Sequence, residues 1–144
     1  MRIVVQRVKS ASVEIDGVIA GKIDQGLLIL VGFTQGDNFE NINYMVNKVI
    51  NLRIFDDTNG VMNLSVKDID GSILSVSQFT LYGDASHGNR PSYVNALKGE
   101  ESIKLYELFN KKLSEIVHTE TGMFGADMKV NLLNDGPVTI ILEK

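Results

Sequence analysis

The chain has only two prolines, and one of them, Pro137, follows a glycine between two runs that otherwise read as buried strand: Asn134-Asp135-Gly136-Pro137-Val138-Thr139. Proline removes a ladder donor and fixes φ, and only X-Pro bonds populate the cis form at low cost. A Gly-Pro here therefore restricts any sheet to a shaped interruption. A plain turn accounts for the same residues, because Asp-Gly and Gly-Pro both punctuate chains. A second segment favours a functional reading. Ser72-Ile73-Leu74-Ser75-Val76-Ser77-Gln78-Phe79-Thr80-Leu81 reads as one strand, with Gln78 and Thr80 on one face and Ser77 and Phe79 on the other. Its polar end calls for partners or a ligand.

The rest of the chain is continuous, without repeats, linkers or low-complexity tracts. Residues 2–8 and 11–15 alternate as strands, and Asp16-Gly17 marks a hairpin into 18–24. Leu27-Leu28-Ile29-Leu30-Val31 is a short apolar run, the pattern of a strand covered on both faces. Phe39, Ile42, Met45, Val46, Val49 and Ile50 fall at helical spacing behind Asn38, a natural N-cap, which predicts a helix over 38–51. Asp56-Asp57-Thr58-Asn59-Gly60 joins short strands near 53–55 and 61–64. A polar loop, Gly83 to Asn89, precedes a second apolar stripe from Ile103 to Val117 that predicts a helix over 101–118. Two final strands, near 123–133 and 137–143, flank the Gly-Pro. The sum is a sheet-dominated α+β domain with two helices on it.

At 144 residues and 44% hydrophobic, the chain fits a single domain, 1–144, with a substantial core. It has no cysteine, which excludes disulfides and thiolate chemistry and agrees with a reducing compartment. The first residues lack the apolar core of a signal peptide, and no window approaches the ~20 apolar residues of a membrane span. The expectation is a soluble, cytoplasmic protein. A net charge of −4 and a pI near 5.1 argue against coating nucleic acid through a broad basic field. Arg7, Lys9, Arg53 and Arg90 are candidates for a small phosphate patch, with solvated surface as the alternative.

The chemical inventory is thin. His87 lies in the polar loop and His118 at the expected end of the second helix, where a helix dipole favours it. Neither has ligand types at metal spacing, so no metal and no cofactor is expected. No nucleophile elbow, P-loop or dinucleotide fingerprint appears. The candidates that remain are the Ser77 and Thr80 hydroxyls, the Gln78 amide, and backbone N–H groups left unpaired, which are capable oxyanion donors. The alternative is that Ser77 and Thr80 merely satisfy a strand end.

Ser77-Gln78-Phe79-Thr80-Leu81 together with Asn134-Asp135-Gly136-Pro137-Val138-Thr139 resembles the motif pair of the D-aminoacyl-tRNA deacylases. The similarity runs the length of the chain. It includes Gln6-Arg7-Val8, Ala11-Ser12-Val13, Arg53-Ile54-Phe55, Met62-Asn63-Leu64, Arg90-Pro91-Ser92, Thr121-Gly122 and Phe124-Gly125-Ala126-Asp127-Met128. Tyr93, where the family often has Phe, and the loop at 83–89 are the departures.

The resemblance implies a deacylase-type fold of barrel-like sheets, a homodimer, and an enzyme that hydrolyses the ester joining D-amino acids, and also glycine, to the 3′ end of tRNA, so that the tRNA is recycled. It assigns catalysis to Ser77, Gln78, Phe79 and Thr80. It makes Gly136-Pro137 a cis motif that enters the neighbouring subunit's site and rejects L side chains, supported by Arg7, Asn134 and Thr139. Phe124, Ala126 and Met128 become pocket wall. Such chemistry needs little from the protein, since the ribose hydroxyl beside the ester assists. The Phe79 and Thr80 N–H groups are then the oxyanion donors, and a nucleophilic Thr80 is the rival mechanism. A non-catalytic nucleic-acid or small-molecule binding module is the competing function class, since the family has also been associated with replication-origin DNA.

Overall fold

A computed structural model describes residues 1–144. Two helices lie against one curled six-stranded sheet, an α+β, sheet-dominated architecture. The elements are β1 (Arg2–Ile15), β2 (Val18–Ile23), β3 (Gly26–Gly32), α1 (Phe39–Ile50), β4 (Phe55–Asp56), β5 (Met62–Leu64), β6 (Ser72–Ser77), α2 (Glu100–Ser114), β7 (Thr119–Thr121) and β8 (Lys129–Glu143). No helix is long and apolar enough to cross a membrane.

β1 is the spine. One edge pairs with β3 along 2–8 and with β2 along 11–15, and the other pairs antiparallel with β8 along its length. The separate strands expected at 2–8 and 11–15 are thus one strand, joined to β2 by a turn with positive φ at Asp16 and Gly17, the conformation that suits the strand twist of a two-residue hairpin. β3 and β6 pair in parallel, as do β6 and β7, each pair connected through a helix.

The apolar run of β3 is buried on both faces. Leu27, Ile29 and Val31 join the main core with Ile3, Val5, Met45, Val49 and Phe109 beneath the helices. Leu28 joins a second core with Val8, Val13, Ile23, Leu74 and Val76 inside the curl. α1 starts where the sequence predicts, with the Asn38 side chain accepting from the N–H groups of Glu40 and Asn41.

Three expectations need correction. The strand over 72–81 stops at Ser77 and gives way to a single 3₁₀ turn, Phe79–Tyr82, because its neighbour β3 ends at Gly32 and offers no further ladder after Gln78 N–H donates to Val31 O at 2.8 Å. The two strands expected around Gly136-Pro137 are a single strand, β8, and its N-terminal half begins only at Lys129, after a loop over 122–128. β1 is long enough to template both halves. Gln6 faces Thr139 and Val8 faces Asn134, so residues 135–138 bulge out opposite Arg7 alone. The Gly136–Pro137 peptide bond is cis. Finally, α2 ends at Ser114, so His118 is not at its C-terminus; its Nε2 lies 3.2 Å from Glu120 Oε1 and its carbonyl accepts from Ile73 N–H.

Candidate active site

The end of β6, the start of α2 and the loop 122–128 enclose a cleft of about 280 Å³. One wall is Val76, Ser77, Gln78 and Phe79; the opposite wall is Phe124, Ala126 and Met128, with Ser102 of α2 also lining it. The structure therefore brings together Ser77, Gln78 and Phe79 with Phe124, Ala126 and Met128. Thr80, Arg7 and the Gly136-Pro137 bulge are not among the lining residues.

The lower wall is held by one carbonyl. Ser75 O accepts from Gly122 N–H at 3.0 Å and from the Tyr106 hydroxyl at 2.8 Å, tying β6, the 122–128 loop and α2 at a single atom. The Tyr106 ring also packs against Phe124, with centroids 5.7 Å apart. Burial pushes the Tyr106 phenol pKa up, so the group stays a neutral donor. Nothing local in the sequence marks Tyr106 as part of this site, because it reads as one more apolar-stripe position.

Beyond Ser77 the backbone supplies donors that the turn itself does not use. The first hydrogen bond of the 3₁₀ turn runs from Leu81 N–H to Gln78 O at 3.3 Å, so the N–H groups of Phe79 and Thr80 precede it and find no acceptor within the turn. Gln78 Nε2 donates to Thr80 Oγ1 at 2.5 Å, which is the Thr80 hydroxyl's side-chain partner. The turn is clamped from β1. Arg2 Nη1 donates to Leu81 O at 2.5 Å, and the Arg2 guanidinium lies 4.9 Å from the centroid of the Tyr82 ring. Burial, then the nearby Asp37 carboxylate, push the Tyr82 pKa up to about 12, with Arg2 opposing.

The β8 bulge is built around Arg7. This buried residue donates from Nε to Asp135 O at 3.1 Å and from Nη1 to Ile54 O at 2.7 Å. Asp135 Oδ2 lies 3.4 Å from Arg7 Nε and 3.2 Å from Lys9 Nζ. Asn134 Nδ2 closes the bulge by donating to Val138 O at 3.1 Å, and Thr139 Oγ1 accepts from Gln6 Nε2 at 3.3 Å. Gly136 and Pro137 remain exposed at the tip. Arg7 is thus committed to carbonyls, and Arg53 donates to Asn63 O and Oδ1 at 2.9 and 2.6 Å, so neither is free for the phosphate patch that scattered basic residues allowed.

Comparison with known proteins follows the same lines. The family model described as D-Tyr-tRNA(Tyr) deacylase matches residues 4–143. A solved structure described as the c-Myc DNA Unwinding Element Binding Protein is 39% identical, with a TM-score of 0.95 over 100% of this chain and 99% of that one. A second, described as a probable eukaryotic D-amino acid tRNA deacylase, shares the fold at 15% identity, with a TM-score of 0.84 over 98% of this chain and 97% of that one.

Proposed function

The chain belongs to the D-Tyr-tRNA(Tyr) deacylase family, and on that premise we propose that it hydrolyses the ester between a D-amino acid, or glycine, and the 3′ end of tRNA, in the cytoplasm and as a homodimer of single-domain subunits. The observation that carries this reading is the break in the ladder after Gln78, where the Phe79 and Thr80 N–H groups open a 3₁₀ turn that offers them no acceptor and Phe79 lines a cleft of about 280 Å³. An ester carbonyl seated there meets two backbone donors as its oxygen gains charge. The ribose 2′-hydroxyl next to the ester assists water attack, so no protein nucleophile is needed. Thr80 Oγ1 has Gln78 as its side-chain partner and not a base, which supports this mechanism over a nucleophilic threonine.

Stereoselection falls to Gly136-Pro137. On its own subunit this bulge is exposed and absent from the cleft lining. Seated instead over the partner's cleft, a rigid stretch of backbone excludes an L side chain, leaves a D side chain free to point elsewhere, and finds nothing to reject in glycine. Arg7, Asn134 and Thr139 support the bulge from below. The product is free tRNA returned for charging, a proofreading role.

Incubation with D- and L-aminoacyl-tRNA tests the activity. Release of D-amino acid with the L-ester intact is the expected result; retention of nucleic acid without release would instead favour a binding module of the kind named by the 39% identical neighbour. A D-aminoacyl ester on a terminal 2′-deoxyadenosine tests the mechanism. It should turn over poorly, and normal turnover would remove the assisting hydroxyl from the scheme.

A further inference from the structure

We propose that Phe79, Tyr93 and Lys98, at the mouth of the cleft, form a platform on which the unpaired RNA nucleotides preceding the esterified terminal one are held. The inference rests on the deacylase reading of the cleft and concerns what grips the strand outside it. Phe79 lines the cleft yet is 45% exposed, so its ring spans the boundary between the enclosed site and solvent. Tyr93 meets it edge-on, with ring centroids 5.2 Å apart and planes at 67°. The Lys98 ammonium lies 5.4 Å from the Phe79 centroid and 6.0 Å from that of Tyr93. Stacking surface beside a cation is the combination that binds single-stranded nucleic acid without regard to sequence.

The platform is anchored from below. Asp84 and Ser92 exchange two backbone hydrogen bonds of 2.8 Å just ahead of Tyr93, and Thr34 Oγ1 donates to Asn95 O at 2.6 Å. Ala96 and Leu97 are buried, and Leu97 N–H donates to Phe33 O at 2.9 Å, which fixes the backbone from which Lys98 projects. Charge gives RNA only one local handhold on this surface. The chain carries a net charge of −4, and Glu100 and Glu101 follow Lys98 closely, so no broad field attracts a polyanion. Contact with a phosphate has to come from a local cation, and Lys98 is the cation that borders both rings. The occupant is continuous with the ester in the cleft, because the nucleotides before the terminal one leave through the mouth that Phe79 borders.

The test compares D-aminoacyl-tRNA with D-aminoacyl-adenosine, which lacks those nucleotides, and measures equilibrium binding of uncharged tRNA by anisotropy. Lys98→Glu should raise KM for the tRNA about tenfold with little change in kcat, and lower the slope of log affinity against log salt by about 1. Tyr93→Ala should cost roughly 5–100-fold in the same sense. On D-aminoacyl-adenosine both variants should stay within about twofold of the unmutated protein. Equal losses on both substrates, or unchanged tRNA binding by Lys98→Glu, would overturn the platform. If the unmutated protein hydrolyses neither substrate, the deacylase reading fails by itself; the platform then stands or falls on whether Lys98→Glu weakens tRNA binding.

Discussion

The two interruptions in this sheet, the 3₁₀ turn after β6 and the bulge in β8, are held by the same device at different depths. Each is gripped by an arginine of β1 donating to a backbone carbonyl: Arg2 to Leu81 O at the turn, Arg7 to Asp135 O at the bulge. The Arg2 side chain is 35% exposed and pairs with Glu143, whereas Arg7 is 10% exposed and also donates to the carbonyl of Ile54. Both carbonyl contacts are partly buried, but only Arg7 adds a fully buried one, to Ile54 O, so water replaces the first clamp more readily than the second. One interruption borders the cleft through Ser77, Gln78 and Phe79; the other presents exposed backbone that does not line it. On the proposed reading the turn is a donor site, which tolerates small motion because substrate completes it, and the bulge a steric filter, which works only if it cannot move.

The sharpest way to break this comparison is to remove Arg7. Arg7→Ala leaves the carbonyls of Asp135 and Ile54 without their donor and should lower stability by about 2–4 kcal/mol in urea denaturation. It should also let L-aminoacyl-tRNA be hydrolysed before D-specific turnover is lost; an L-ester that stays intact would show that the bulge does not need the clamp. Arg7→Lys, a single donor head for a fork, should recover only part of either effect. Gly136→Ala probes the same bulge from its tip. The residue sits at φ +123, and an added Cβ would lie 2.9 Å from Val138 Cγ2 and 3.1 Å from Arg7 Nη2, so a loss of about 1–3 kcal/mol is expected by the same measurement.

Tyr106→Phe should cost about 1 kcal/mol, since it removes one donor from Ser75 O and leaves the other, and keeps the packing on Phe124. Arg2→Ala is expected to cost less, about 0.5 kcal/mol, because its side chain is 35% exposed and its ion pair with Glu143 is exposed; a loss equal to that of Arg7→Ala would erase the distinction between the two clamps.

Alkaline pH separates the two breaks in another way. The Tyr82 pKa in the folded chain stands above the ordinary tyrosine value of about 10, so the neutral phenol is favoured by folding. The corresponding stability is fully present below pH ~10 and is lost as pH rises towards about 12. Urea midpoints at rising pH should fall through this window, and Tyr82→Phe should flatten the fall. The smallest effect is expected at Thr80. Thr80→Ala keeps the backbone N–H and should hold the single-turnover rate within a few-fold, whereas loss of a nucleophile would cost several orders of magnitude.

Much of this molecule is legible in the residues themselves. The hairpin at Asp16-Gly17, the Asn38 cap, the doubly covered run of β3 and the apolar stripes of α1 and α2 are local patterns that burial enforces. The Gly-Pro at 136–137 likewise marks an interruption of the sheet, whereas the residues around Ser77 read as unbroken strand to Leu81. What they do not carry is how each interruption is made. β6 stops at Ser77 because β3 runs out, and β8 continues past Pro137 because β1 is long enough to pair with it on both sides. Both outcomes are set by a partner strand distant in sequence, since a ladder ends where its neighbour's hydrogen-bonding groups end. For the same reason Tyr106 reads as plain core until the fold brings Ser75 O within 2.8 Å of its hydroxyl, and Arg7, made a support of the Gly-Pro motif only by the resemblance, reads from its own pattern as a phosphate-patch candidate or solvated charge until the bulge of β8 closes over it.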